Sequence, residues 1–366
     1  MSLLSNLALR ITNSTPAATT TSTTTSTTTM TNTSKVVKVA VTQAEPAWID
    51  LPAAVAKTCK LIAEAASNGA QLIAFPECWI PGYPVWIWTR LIDFDLNVKY
   101  IKNSLQLDSP EMATIQACAK ENNIAVSLGF SENDNHSLFI AQALIGQDGE
   151  IKVHRRKMKP THMERTIFGD ASGHCLKSVA ELPFARVGSL ACWEHIQPLL
   201  KYNTIAQKEE IHVSAWPSVT PHSGGGPDMW SMSAEGCHNL SRTYAIESNA
   251  FVLHSTALIS EKGIAAHSSA GGAIMSTPGG GTSAIFGPDG RRLSEPVDEN
   301  TETIIYGELD FDAIHRTKMF ADCTGHYSRP DLLRLNVDKE IKILVRADGS
   351  VAKVPKEEEE EAVLVL

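Results

Sequence analysis

Apolar positions switch between two periods along the chain. KVVKVAVTQ (35–43) is rich in β-branched residues and continuous enough for a buried strand, whereas residues 52–67 carry apolar side chains at helical spacing and run into Gly69, a helix stop. QLIAFPE (71–77) is a second strand, followed by a helix over 109–122 and a strand IAVSLGF (124–130). The segments SLFIAQALIG and EIKVHRR flank Gln147-Asp148-Gly149, whose Asp-Gly step favours a tight hairpin. The alternation resumes with a strand RVGSLACW (186–193), a helix over 198–209, a strand IHVSAWP (211–217), a helix over 229–248 and a strand AFVLHSTALI (250–259). TSAIFGPDGRRLSE turns on Asp289-Gly290 as a second hairpin, and TIIYGELD (303–310) follows it. Two βα series, each with a hairpin, predict one layered α/β domain with internal pseudo-symmetry.

The ends break this pattern. TTTSTTTSTTTMTNTS lies within the first 34 residues, too polar to offset the entropy of ordering, so residues 1–34 read as a disordered leader; they also hold Arg10 among Leu3, Leu4, Leu7 and Leu9. Residues 336–366 read as an acidic, partly disordered tail containing Glu357 to Glu361, which leaves 35–335 as the folded domain.

Composition narrows the partners. With 43% apolar residues the 366-residue chain can fill a sizeable core, and a net charge of −9 leaves no basic face for nucleic acid or acidic lipid. No run of 18 apolar residues suggests a membrane span; LIAFPECWIPGYPVWIW is broken by Glu77 and three prolines. Seven cysteines without a CxxC pair argue against a disulfide framework or a zinc ribbon and fit a reducing, cytoplasmic setting. The loops HSGGGPDM (222–229) and GGAIMSTPGGG (271–281) match neither GxxxxGK[ST] nor a GxGxxG between strand and helix, and no HExxH or EF-hand pattern occurs. Neither cofactor nor metal is implied, and a small-molecule substrate is the expected partner.

Three strand ends carry polar residues suited to chemistry: Glu77 after QLIAFPE, Lys157 after EIKVHRR and Cys192 after VGSLA. Each alone is ordinary, since strand cysteines pack cores and strand-end glutamates and lysines face water. In an open α/β sheet, however, ligands bind beyond the carboxyl ends of strands, where the three could meet. A lysine cation would favour the thiolate of Cys192, while a glutamate could take its proton and return it to a leaving amine. His195 offers a Cys-His alternative, but the sequence gives it no orienting partner, so it reads as a rim or pocket residue.

IAFPECWIPGYP, HRRKMKPTHMERTIFGDASG and LACWEHIQPLLKY resemble the three signature regions of the nitrilase branch of the carbon-nitrogen hydrolase superfamily, in order and over about residues 35–331. CWEHIQPLLKY and FADCTGHYSRPDLLRL (320–335) are most similar to fungal nitrilases, enzymes acting on arylacetonitriles among them, and also resemble cyanide hydratases. The resemblance implies an α-β-β-α sandwich, dimers extending into filament-like homo-oligomers, Glu77 as general base, Lys157 rather than Lys159 as the site lysine, Cys192 as nucleophile and Glu164 as a second glutamate holding the site. It also places Tyr83 and Trp193 in the substrate pocket. Trp216, at a strand end, is added as a pocket candidate, with core packing as its alternative. GDASG (169–173) departs from the branch's usual GDGSG, and Ala171 cannot visit positive φ as freely as glycine. The expected reaction converts organic nitriles to acid and ammonia through a cysteine thioimidate, with some amide. Cyanide hydration to formamide, an amidase and a non-catalytic scaffold are the competing readings.

Overall fold

The computed structural model describes residues 34–90, 92–222, 229–341 and 343–345; the leader, the acidic run 357–361 and most of the 222–229 loop lie outside the described residues. In chain order the elements are β1 (Val36–Ala44), α1 (Leu51–Ser67), β2 (Leu72–Ala74), α2 (Phe94–Asn103), α3 (Pro110–Glu121), β3 (Ala125–Asp134), β4 (Ser137–Ile145), β5 (Ile151–Arg156), β6 (Val179–Leu182), β7 (Ala185–Ala191), α4 (Pro198–Ile205), β8 (Ile211–Trp216), α5 (Ala234–Ser248), β9 (Phe251–Ala257), α6 (Glu261–His267), β10 (Ala284–Phe286), β11 (Thr303–Asp310) and α7 (Asp312–Phe320). Local chemistry fixes many of their ends. In α1, Asp50 accepts from the Ala53 amide, Pro52 occupies the first turn, and Gly69 turns away at φ +81°.

Among the described residues, eleven strands form one sheet in the order β5-β4-β3-β2-β1-β9-β8-β7-β6, with β10 added to β9 and β11 to β1. The junction is narrow: β1 and β9 pair only through Gln43–Thr256 and Ala44–Ala257. The two halves therefore fold face to face, and Val37, Val39, Val41, Leu72 and Ala74 share a buried core with Val187, Val213, Phe251 and Leu253. On the outer face of one half, Ala54, Val55, Ile62 and Ala65 of α1 and Met112, Ile115 and Ala119 of α3 are buried with Ile73 and Val126. Leu200 and Ile205 of α4 and Tyr244 and Ala245 of α5 are buried with Leu190, Val252 and Phe286 on the other. These are the four α-β-β-α layers.

Strand direction positions the site. β1, β2, β7, β8 and β9 are parallel, and β5 runs in the same sense because two antiparallel steps separate it from β3, itself parallel to β2. The carboxyl ends of β2, β5, β7 and β8 thus emerge on one edge.

Several elements differ from the sequence pattern. The strand expected over 186–193 stops at Ala191, and the helix expected from 229 begins at Ala234 after a 3-10 turn at Trp230–Met232. The second hairpin is reduced to a bridge between Phe286 and Arg292, and β11 crosses to pair with β1, so the halves are not strict repeats. α2, α6, α7 and β6 were not legible. In α2, Tyr100 is buried with Leu96 and Ile101 packed partly beside it, but the apolar Phe94 and Val98 face solvent and blur that stripe.

Candidate active site

Glu77 lies three residues beyond β2, where its amide donates to the Trp216 carbonyl at the end of β8. This descent passes so close to β3 that a Cβ on Gly129 would lie 2.1 Å from the Pro76 carbonyl oxygen; a glycine is required there. Lys157 directly follows β5, its amide bonded to the Ile140 carbonyl. Glu164 sits on a 3-10 turn (His162–Thr166) and caps it through the Thr161 amide. Cys192 follows β7 in a left-handed conformation, φ +50°, costly for a non-glycine residue and held by its surroundings.

The side chains meet in a buried cluster. Lys157 Nζ donates to Glu77 Oε1 at 2.7 Å and to Glu164 Oε2 at 2.8 Å, with all three residues at most 2% exposed. Glu164 also accepts from Thr161 and from the Tyr83 hydroxyl, which in turn accepts from Trp88 Nε1. Glu77 accepts from Lys157 alone, and its Oε2 is buried without a partner. One cation thus serves two carboxylates, and the one with fewer donors is the easier to protonate. Burial pushes Glu77 up to about 8 against the opposing pull of Lys157.

Burial, followed by the charge of Glu77, also raises the Cys192 thiol well above its usual range, with Lys157 opposing. Lys157 favours the thiolate, as expected, but burial and the charge of Glu77 outweigh it, so the resting sulfur is a thiol. A base must take the proton, and Glu77 Oε2 is a free acceptor.

Lys159 instead points outward to Asp170 at 2.5 Å, far more exposed than Lys157. Trp193 is half-buried against a cluster containing Cys192, Trp216, Val219 and Cys237, so both tryptophans line the cysteine side. Trp216 is fully buried, its Nε1 donating to Ser214. The Tyr83 hydroxyl is engaged on both sides. Ala171 is buried without positive φ, so GDASG needs no glycine at that position.

Two features escaped sequence reasoning. Arg155 forms a fully buried bidentate pair with Glu194 at 2.8 and 2.7 Å, and Glu194 also accepts from the Ala191 and Met158 amides, which ties the Lys157 segment to the Cys192 turn. Both residues stood inside the quoted motifs, HRRKMK and CWEH. His195 is not a rim residue: it is fully buried, with Nδ1 on the Cys192 carbonyl oxygen rather than on the thiol, and it has an orienting partner in His212. Among the described residues no group of three or more His, Cys, Asp or Glu side chains is placed to hold a metal ion. No described helix is long and apolar enough to cross a membrane.

The sequence pattern of the carbon-nitrogen hydrolase family matches residues 38–319. A Hypocrea virens protein named arylacetonitrilase is 70% identical over 312 residues, spanning 85% of this chain and 94% of that protein. An Aspergillus niger protein of the same name is 60% identical over 325 residues, covering 89% and 99% of the two chains. Among solved structures, a carbon-nitrogen hydrolase from Helicobacter pylori superposes with a TM-score of 0.63 at 16% identity, over 82% of this chain and 99% of that one. Nit3 of Saccharomyces cerevisiae, a member of branch 10 of the nitrilase superfamily, gives 0.60 at 18% identity over 80% and 97%. These structures share the fold.

Proposed function

The chain belongs to the carbon-nitrogen hydrolase family, and we propose that it is a nitrilase converting arylacetonitriles to the carboxylic acid and ammonia, with amide as a by-product. The observation that carries the mechanism is the unpartnered Oε2 of Glu77 in the Lys157-centred cluster whose charges act on Cys192. The arylacetonitrilase name of the relatives at 60 and 70% identity favours this reading over cyanide hydration.

In this reading Glu77 takes the Cys192 proton as sulfur attacks the nitrile carbon, and that proton passes to nitrogen, giving a thioimidate. Water adds across the C=N bond, its proton passing through Glu77, to give a tetrahedral adduct bearing OH, NH2 and sulfur. Protonated at nitrogen, the adduct loses ammonia and leaves a thioester; a second water, deprotonated by Glu77, releases the acid and regenerates the thiol. Lys157 stabilises the negative charge that develops at the reacting centre, and Glu164 holds Lys157 in place. Trp193 and Trp216 wall the cysteine side of the pocket; Tyr83 supports it through Glu164.

The hydrolase domain is residues 35–335. Its seven free cysteines suit a reducing cytoplasm. Ile196 and Leu199, exposed around the start of α4, support self-association into dimers and longer homo-oligomers, a filament among them, which light scattering and electron microscopy test.

The deciding experiment offers purified protein phenylacetonitrile, a short aliphatic nitrile and cyanide side by side, with ammonia and products quantified. Phenylacetic acid with matching ammonia supports the reading; formamide from cyanide as the sole product overturns it.

A further inference from the structure

Behind the Cys192 turn runs a chain of polar side chains that the chemistry above does not use. His195 Nδ1 meets the Cys192 carbonyl oxygen at 2.7 Å, His195 Nε2 meets His212 Nε2 at 3.0 Å, and His212 Nδ1 meets Glu209 Oε2 at 2.8 Å. The Tyr244 hydroxyl donates to Glu209 Oε1. The three rings are fully buried and Glu209 is 4% exposed. His195 stacks on Trp216, and His212 on Tyr244. Room is reserved for the far end: a Cβ on Gly188 of β7 would lie 2.0 Å from Glu209 Oε2.

Proton counting fixes the sense of the chain. A carbonyl only accepts, so His195 Nδ1 carries hydrogen; burial, followed by the charge of His212, holds the His195 pKa well below its usual value, so the ring is neutral and its Nε2 accepts. His212 Nε2 must then donate. One hydrogen lies between His212 Nδ1 and Glu209 Oε2. The His212–His195 and His195–Cys192 hydrogen bonds thus both point toward the Cys192 carbonyl, and the last clamps the peptide of a residue in a strained left-handed turn.

We infer that His195, His212 and Glu209 are positioning residues that hold the Cys192 sulfur in line with Glu77 and thereby set the ratio of acid to amide. This rests on the nitrilase reading. The tetrahedral adduct has two exits: breaking C–N releases ammonia and requires a proton delivered to nitrogen, whereas breaking C–S releases amide and leaves thiolate, which needs none at that moment. Loosening the turn weakens aligned proton delivery and leaves sulfur departure open, so amide rises.

The test uses the full chain with phenylacetonitrile and measures the amide-to-acid ratio, kcat and KM separately, together with the iodoacetamide alkylation rate of Cys192 followed by peptide mass spectrometry. Glu209→Leu raises the ratio about threefold or more and lowers kcat about tenfold with KM little changed, since small misplacements of reacting groups cost rate steeply. Glu209→Gln, whose amide can donate to His212 Nδ1 while its oxygen accepts from Tyr244, restores most of both. The ratio is independent of how much protein is folded, so loss of stability alone leaves it unmoved. Tyr244→Phe, nearly isosteric, shifts the ratio in the same direction by less and serves if Glu209→Leu does not fold. An unchanged ratio in whichever of the two folds overturns the inference. If wild-type protein turns over no nitrile, the nitrilase reading fails instead, and the alkylation rate still decides the positioning role: equal rates in wild type and variant overturn it.

Discussion

Glu77 and Glu194 are almost equally buried, each faces a cation from the β5 segment, and each adjoins the Cys192 turn, yet their carboxyls are driven in opposite directions. Glu194 accepts from two Arg155 nitrogens and two backbone amides, and the Arg155 charge is the leading influence that overcomes burial and holds its pKa below the usual range. Glu77 accepts from Lys157 alone, shares that cation with Glu164, and is pushed up to about 8. Burial costs both. The number of donors decides which carboxyl is a fixed anion and which can exchange a proton. A saturated charge pair braces the turn; an unsaturated one beside it is free to react.

That contrast can be broken most decisively at its reactive side. Glu77→Gln, Lys157→Met and Cys192→Ala each lower kcat for phenylacetonitrile by about 10³-fold or more, the upper range for removing an acid-base group or nucleophile, while circular dichroism and assembly stay near wild type. Retained activity in Cys192→Ala ends the nucleophile assignment. The braced side responds in stability: Arg155→Met strands the Glu194 charge and costs roughly 3–5 kcal/mol in denaturant unfolding, and Arg155→Met combined with Glu194→Leu recovers much of it. If the single variant unfolds like wild type, the pair is not the brace described.

Acidity sharpens the comparison further. With Glu77 raised to about 8, kcat/KM climbs as pH rises toward 8, because the carboxyl must be free of its proton to accept one from sulfur. The stability sign is the reverse. The stabilising proton on Glu77 is fully present below the unfolded value near 4.5 and lost as pH rises through about 8, so Glu77→Gln gains Tm relative to wild type across that window. A constant Tm difference from pH 5 to 8.5 contradicts the shift. The smallest effect falls on the neighbouring lysine: Lys159→Met breaks an exposed pair worth about 0–1 kcal/mol and leaves turnover within about twofold. Were Lys159→Met the more damaging lysine variant, the roles would be exchanged.

Much of this site was legible because its residue types stand at strand ends inside long motif strings. β-branched runs and the Asp-Gly hairpin marked the strands that carry Lys157 and Cys192, and FPE, RRKMK and CWEH named Glu77, Lys157 and Cys192. Arg155 and Glu194 were visible as letters but not as a pair, since 39 positions separate them and only the folded sheet brings them together. His195 lacked a sequence partner because His212 and Glu209 reach it from the start of β8 and the turn before it. α2 was missed for a different reason: the apolar Phe94 and Val98 face solvent and blur the face that Leu96, Tyr100 and Ile101 form.

The sequence by itself determined the layered α/β class, the strands that end in Glu77, Lys157 and Cys192, and the choice of thiol chemistry, because periodicity and residue type are local properties. Only the tertiary structure decided that Lys157 is shared between two glutamates, that the thiol rests protonated, and that one oxygen of Glu77 is left free. Donor count and desolvation depend on neighbours distant along the chain, and those are set when the two halves of the sheet close on each other.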